Sequence, residues 1–227
     1  MELSNRTIIP DLSVDCVILS FKEGNLRVLL IKRDQELERG KWALPGGFVY
    51  DDEDIDEASR RVLKEHTGAE EIYLEQLEAF GRVNRFPGKR VITLAYHAHV
   101  RPDVIHIQPG PEASEAIWQE LSSCPPLVFD HDEILGEAVK TLKRKTLHEP
   151  VGLQLLPEKF TLWQLQQLYE AITGEPLEKS NFRRKINRLD YLIPLEEFQK
   201  GVAHRAARLY QFDAAKYAEL AEKGFLF

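Results

Sequence analysis

The sequence predicts an α+β/α/β protein in which a strand-rich first domain, residues 1–150, precedes a smaller domain, residues 151–227. Three observations predict it. Apolar runs of strand length alternate with two helical stretches up to about residue 145. Glu149-Pro150-Val151-Gly152 then interrupts the pattern as a boundary. Beyond Pro157, two short helices and a hairpin follow in a different rhythm.

Ser13–Ser20 and Leu26–Lys32 are apolar runs split by Glu23-Gly24-Asn25, a strand, turn, strand pattern. Gly40-Lys41-Trp42 leads into Leu44-Pro45-Gly46-Gly47. Four acidic residues, Asp51 to Asp54, come next, where a helix dipole favours negative charge. Ile55, Ala58, Val62 and Leu63 recur at helical spacing, and Gly68 stands as a C-terminal cap. Ile72–Gly81 and Arg90–Val100 read as strands, and Pro109–Glu115 as a loop before a short element at Ile117–Leu121. Arg82, Arg85, Lys89 and Arg90 put four positive side chains in one turn-bearing segment. That segment reads as solvated surface, as a phosphate or sugar contact, or as a DNA or partner-subunit contact. Ile134, Leu135, Ala138, Val139 and Leu142 give an amphipathic helix over about 132–145, and Asp130, His131 and Asp132 read as its acidic start rather than as a metal site.

In the second domain Thr161 is an N-cap, Leu162, Leu165, Leu168, Tyr169 and Ile172 form a stripe, and Gly174 ends the helix. Ser180 is the expected second N-cap, with Phe182, Ile186 and Leu189 on one face. Arg183, Arg184, Asn187 and Arg188 project from the opposite face, with Lys179, Ser180 and Asn181 at the start. Five basic residues and no acidic one lie between Lys179 and Arg188. Arg and Asn are the side chains that read guanine and adenine edges in the major groove. Tyr191–Leu195 and Leu209–Phe212 then form a hairpin, with Lys200, His204, Arg205 and Arg208 in or near its loop. Helix, turn, helix and hairpin make a winged helix, whose wing can rest on phosphates.

Composition allows one large or two modest domains. The chain has 227 residues, 43% of them hydrophobic, and a net charge of −7, which argues against non-specific nucleic-acid binding. Residues 150–227 nevertheless carry 11 Lys/Arg against 10 Asp/Glu, whereas residues 1–149 carry 19 against 27. The asymmetry hints at different partners for the two halves. No run approaches 18 apolar residues, and the N-terminus lacks an apolar core of signal-peptide length, so a cytoplasmic protein with no membrane partner is expected. Cys16 and Cys124 form no disulfide or metal framework.

The stretch from Gly47 to Ala69 resembles the Nudix box: Gly, five residues, Glu, seven residues, then Arg-Glu-apolar-x-Glu-Glu-x-Gly-apolar. Here these positions read Gly47, Glu53, Arg61, Val62, Leu63, Glu65, His66, Gly68 and Ala69. The resemblance implies an αβα sandwich. In working members the three carboxylates of the core hold Mg²⁺ or Mn²⁺ and activate water against a pyrophosphate. Val62 can neither ligate nor take a proton, and His66 is a poor Mg²⁺ ligand. Arg61 has lost the Glu it orients in the family, and Glu57 is left as an alternative partner. No catalytic residue is therefore expected, with Glu53, Arg61 and Glu65 as residual positions. Mg²⁺ at a weakened site is the one cofactor in question, and no metal ligand set can be assigned.

A degenerate Nudix domain before a winged helix resembles the Nudix-related transcriptional regulators. The runs GRVNRFPGKRVITLAY and Lys179-Ser180-Asn181-Phe182-Arg183-Arg184-Lys185 carry the same resemblance. It implies a homodimer on double-stranded operator DNA and a small effector in the old substrate pocket, ADP-ribose or a related nucleotide, or a sugar such as a pentose. Candidate effector-binding residues are Arg33, Gly46, Gly47, Arg82, Arg85, Lys89 and Arg90. Candidate DNA-binding residues are Lys179, Ser180, Asn181, Arg183, Arg184, Asn187, Arg188, Arg205 and Arg208. The alternative is an active Mg²⁺-dependent pyrophosphohydrolase that completes its site with Glu112, Glu115 or Glu120.

Overall fold

A computed structural model describes residues 7–69, 72–101, 105–146, 151–188, 190–201 and 205–222. The chain divides into two compact units, residues 1–20 with 27–141, and residues 21–26 with 142–227. The boundary expected at Pro150, together with Leu189 and His204, lies outside the described residues.

The first unit is built on a seven-stranded mixed sheet. Its elements are β1 (Ile8–Lys22), β2 (Asn25–Arg33), β3 (Trp42–Ala43), β4 (Gly46–Tyr50), α1 (Ile55–Thr67), β5 (Leu74–Phe80), β6 (Ile92–Val100), β7 (Ala113–Glu120) and α2 (His131–Thr146). Strand order is β3-β2-β1-β6-β5, with β4 pairing β1 and β7 pairing β2. Glu23 and Gly24 both take positive φ, the hairpin turn that suits the twist of β1 and β2. β1 and β6 run parallel, in register from Leu12↔Ile92 to Ser20↔Val100. Val14 and Cys16–Leu19 are almost wholly buried, which accounts for an apolar run without alternation. Where a loop through Glu115 is expected, β7 instead begins at Ala113, because seven of its residues pair with Arg27–Arg33 of β2.

α1 starts on a capping box. Glu57 N donates to Asp54 Oδ1 (2.7 Å) and Asp54 N to Glu57 Oε2 (2.8 Å). It ends at Gly68, whose left-handed backbone brings its N–H to Lys64 O at 2.8 Å. Ala58, Val62 and Leu63 pack on Val14, Cys16, Ile18, Leu29 and Tyr96 of the sheet. This packing holds the Gly46–Tyr50 strand against the start of α1.

The second unit contains β8 (Lys159–Phe160), α3 (Leu162–Thr173), α4 (Lys179–Ile186), β9 (Leu192–Phe198), β10 (Arg208–Phe212) and α5 (Ala214–Glu222). Thr161 and Gln164 form a capping box at the head of α3, and Gly174 caps its end. The N-cap of α4 is Glu178, not Ser180: its carboxylate accepts from Ser180 N (2.8 Å) and Asn181 N (2.7 Å), so Ser180 already belongs to the first turn. β8, β10 and β9 make a three-stranded sheet, the wing side of a winged helix. Phe160, Leu165, Leu168, Phe182, Ile186 and Tyr191 fill its core. Sequence reading does not anticipate α5, whose start is capped by Asp213 Oδ1 accepting from Lys216 N.

Candidate functional site

Two adjoining recesses on the first unit share Ile31, Gly46, Gly47, Phe48 and Glu112 and so form one cleft along β4. The first recess is also lined by Asp15, Arg33, Arg85, Phe86, Phe129 and His131. The second, a cavity of about 160 Å³, is also lined by Ile8, Tyr50, Arg61, Glu65, His66 and Pro111.

Gly46 is required here. A Cβ on it would collide with the Asp15 carboxylate and stand 2.8 Å from Val14 O. Its absence lets Asp15 join a buried network at the floor of the cleft. Arg85 donates Nε to Asp130 Oδ2 (2.8 Å), and Nη2 to Asp130 Oδ1 (2.7 Å) and Asp15 Oδ2 (3.2 Å). His131 Nε2 lies 3.6 Å from Asp15 Oδ1, and its Nδ1 accepts from Leu44 N at 3.0 Å. Burial lowers the His131 pKa, so the ring is the neutral acceptor that Leu44 needs. Asp130 and His131 are thus partners of Arg85 and Leu44, not merely an acidic helix start.

The four cations of the 82–90 segment do not converge. Arg85 lines the cleft but directs its donors to Asp130 and Asp15. Arg82 is exposed and pairs with Glu133 at 2.7 Å. Lys89 holds its ammonium 4.0 Å from the Phe48 ring centre and donates to Pro10 O. Arg90 is exposed and lines neither recess. Arg33 does line the first recess, where burial lowers its pKa and its guanidinium lies 5.1 Å from the Phe129 ring centre. Phe129 takes a left-handed backbone, φ 57°, to reach that position against Phe86.

At the box positions, Arg61 donates Nε to Glu53 Oε2 (3.0 Å), and Nη2 to Glu53 Oε1 (2.7 Å) and Phe48 O (2.9 Å). Its Nη1 reaches Glu65 Oε1 at 3.4 Å. The expected alternative partner, Glu57, is instead committed to the capping box. Arg61 therefore ties the two remaining box carboxylates to one guanidinium. Val62 is wholly buried in the apolar core. His66 is buried, and its Nδ1 accepts from Gly110 N at 3.1 Å. Burial lowers the His66 pKa to about 4. With Gln108 N donating to His66 O (2.9 Å), the side chain pins the segment before β7 onto α1.

These residues do not fit Mg²⁺, which asks for several oxygen ligands in octahedral array. Only Glu53 and Glu65 offer oxygens from the box, and a guanidinium already sits between them. Glu115 and Glu120 pair with Lys32 and Arg27 on β2 and do not complete the set. Among the described residues no group of three His, Cys, Asp or Glu is placed to hold a metal ion. Glu112 does face the cleft, a residue that the sequence marks only by its acidity.

On the second unit Lys179, Ser180, Asn181, Arg183, Arg184, Lys185, Asn187 and Arg188 are all exposed, while Phe182 and Ile186 are buried. Helix α4 ends at Ile186, so Asn187 and Arg188 extend the basic surface from the turn rather than from the helix. Arg184 Nη2 donates to Asn181 Oδ1 at 2.8 Å. In the wing, Arg205 is exposed, whereas Arg208 donates Nε to Leu195 O (2.7 Å) and pairs with Glu196 within the sheet. Among the described residues, no helix is long and apolar enough to cross a membrane.

Comparison with known proteins agrees with both units. Residues 10–141 match the NUDIX domain family and residues 152–212 the NrtR DNA-binding winged helix domain. The chain is 35% identical over 212 residues to the ADPR responsive transcriptional repressor NtrR of Acinetobacter baylyi, covering 92% of this chain and 84% of the relative. Shewanella oneidensis NrtR, solved in complex with a 27mer DNA, superposes with a TM-score of 0.79 at 32% identity, over 91% of this chain and 96% of that one. The NUDIX domain of the same protein, solved with ADP ribose, gives 0.54 at 32% identity, over 58% of this chain and 88% of that one.

Proposed function

The chain belongs to the NrtR family, which joins a NUDIX domain to a DNA-binding winged helix, and from that premise we propose that it is a transcriptional repressor that senses ADP-ribose without hydrolysing it. The observation that carries the reading is the state of the box. Val62 is in the core, His66 holds a loop, and Arg61 engages both Glu53 and Glu65. Such a cleft can bind a nucleotide but has no means of activating water.

Arg33, Gly46 and Gly47 form the effector wall, with Arg85 fixing its floor. Phe48, Phe86 and Phe129 offer ring faces for a base. α4 enters the major groove and presents Arg183 and Arg184, while Lys179, Arg188 and Arg205 contact phosphates. The protein acts in the cytoplasm as a homodimer on a palindromic operator, with half-sites about one helical turn apart. Effector binding lowers operator affinity by favouring a protein state that binds DNA less well.

Fluorescence anisotropy with a duplex from upstream of the protein's own operon, against a scrambled duplex at fixed salt, tests the DNA half. Tight binding to the upstream duplex alone is expected, and equal weak binding to both contradicts it. Nucleotide release assays in Mg²⁺ and Mn²⁺ test the other half. Turnover of ADP-ribose by the unaltered protein would return the cleft to the hydrolases.

A further inference from the structure

The second recess is acidic in balance. Its charged lining groups are Arg61, Glu65 and Glu112, and Glu53 stands behind Arg61. The guanidinium is committed to Glu53, Phe48 O and Glu65, so little of its charge is left for a ligand. A phosphate placed there would face two carboxylates in a partly dehydrated cavity, and among the described residues no His, Cys, Asp or Glu group is placed to hold a metal ion that would offset them. The opposite end of the cleft differs: Arg33 lines it in addition to Arg85, which is shared by Asp15 and Asp130.

Glu112 sits at the junction and lines both recesses. Its main chain is fixed, with Asp34 N donating to Glu112 O at 2.9 Å. The residues just before it are held to α1 through Gln108, Gly110 and His66. Among the described residues no hydrogen bond or ion pair holds its side chain; Arg33 and Glu65 only feel its charge. Glu65, across the recess, has its pKa raised by burial, with Glu112 adding to the rise. Phe48, Tyr50, Ile8 and Pro111 supply apolar and aromatic walls between the carboxylates. Carboxylate acceptors beside ring faces suit an uncharged ring with hydroxyls on its edge.

We propose that Glu112 and Glu65 accept a vicinal diol, so that this recess takes the neutral pentose end of the effector while its phosphates lie toward Arg33. Glu112 is then the residue that distinguishes a sugar-terminated diphosphate from a bare one. The proposal rests on the reading of the cleft as an effector site.

Isothermal titration of the full-length protein and of Glu112→Gln with ADP-ribose and with ADP tests it. The substitution keeps size and removes charge at an exposed position, so circular dichroism should show an unchanged fold. Loss of a charge-assisted hydrogen bond should lower the preference for ADP-ribose over ADP by about tenfold or more. If phosphate occupied the recess, removing the charge would tighten both ligands, and that result, or an unchanged preference, overturns the proposal. If the unaltered protein binds neither nucleotide, the ADP-ribose reading fails separately. Free ribose and arabinose then judge the diol site: pentose binding lost in Glu112→Gln upholds it, and no pentose binding overturns it.

Discussion

His66 occupies a position that carries a metal-binding Glu in the hydrolases, and its burial makes the first unit sensitive to acid in a defined window. The imidazole titrates at about 4, against an ordinary 6.5, because burial disfavours the cation; a hydrogen bond with the Gln108 backbone acts the other way but does not prevail. Above pH 6.5 the ring is neutral in both folded and unfolded chains and adds no pH dependence. Between pH 6.5 and 4 the unfolded chain takes up a proton that the folded chain refuses, so stability falls as pH falls. The shift corresponds to about 3 kcal/mol at the bottom of the window. His66→Gln keeps an acceptor for Gly110 N and removes the titration. The assay is urea unfolding of both proteins from about pH 7.5 down to about 4.5, with carboxylate effects cancelling in the difference. Trp163 is exposed on the second unit, so a Trp163→Phe background confines the fluorescence to Trp42 and Trp118 of the first. The stability advantage of the histidine protein should shrink steadily below pH 6.5. Parallel profiles for the two proteins would refute the buried neutral ring.

Arg85→Ala leaves Asp130 and Asp15 buried without their guanidinium and should cost about 3–5 kcal/mol, read by the same unfolding assay; a loss below about 1 kcal/mol would contradict the network. Gly46→Ala drives a methyl group into Asp15 and Val14 O and should cost about 1–3 kcal/mol, with ADP-ribose affinity in calorimetry falling as the floor shifts. Arg183→Ala and Arg184→Ala should weaken operator binding and relax its sequence preference, whereas Lys179→Ala and Arg188→Ala should each reduce the salt slope of the affinity by about one; unchanged affinity for both α4 arginine variants would remove α4 from the interface.

Much of the fold could be read from spacing. The capping residue Thr161, the terminating Gly68 and Gly174, and the uninterrupted apolar run of β1 each act within a few residues and leave a local mark. The box could also be read, because its loop and helix are contiguous. The rest is assembled across the chain and leaves no local mark. Asp15, Arg85 and Asp130 meet because β1 and β6 pair and α2 starts beside them, and no pattern in the sequence announces that meeting. The sequence therefore leaves Arg85 open as one source of charge for a ligand, whereas its guanidinium is already paired with Asp130 and Asp15. Ser180 draws the N-cap assignment by residue type, yet Glu178, a carboxylate that accepts two N–H groups, caps well on its own. Glu112 stands out only once β7 begins at Ala113 and its preceding segment is pinned over the cleft.

One small molecule in a non-hydrolysing cleft controls DNA binding in the function proposed above. The most direct test titrates ADP-ribose onto a preformed complex of the full-length protein with a labelled upstream duplex, in the presence of EDTA and at a salt concentration of about 0.1 M. The anisotropy should fall to that of free duplex while the ADP-ribose stays intact. Anisotropy that holds at saturating ADP-ribose, or release that requires Mg²⁺ and consumes the nucleotide, would contradict it.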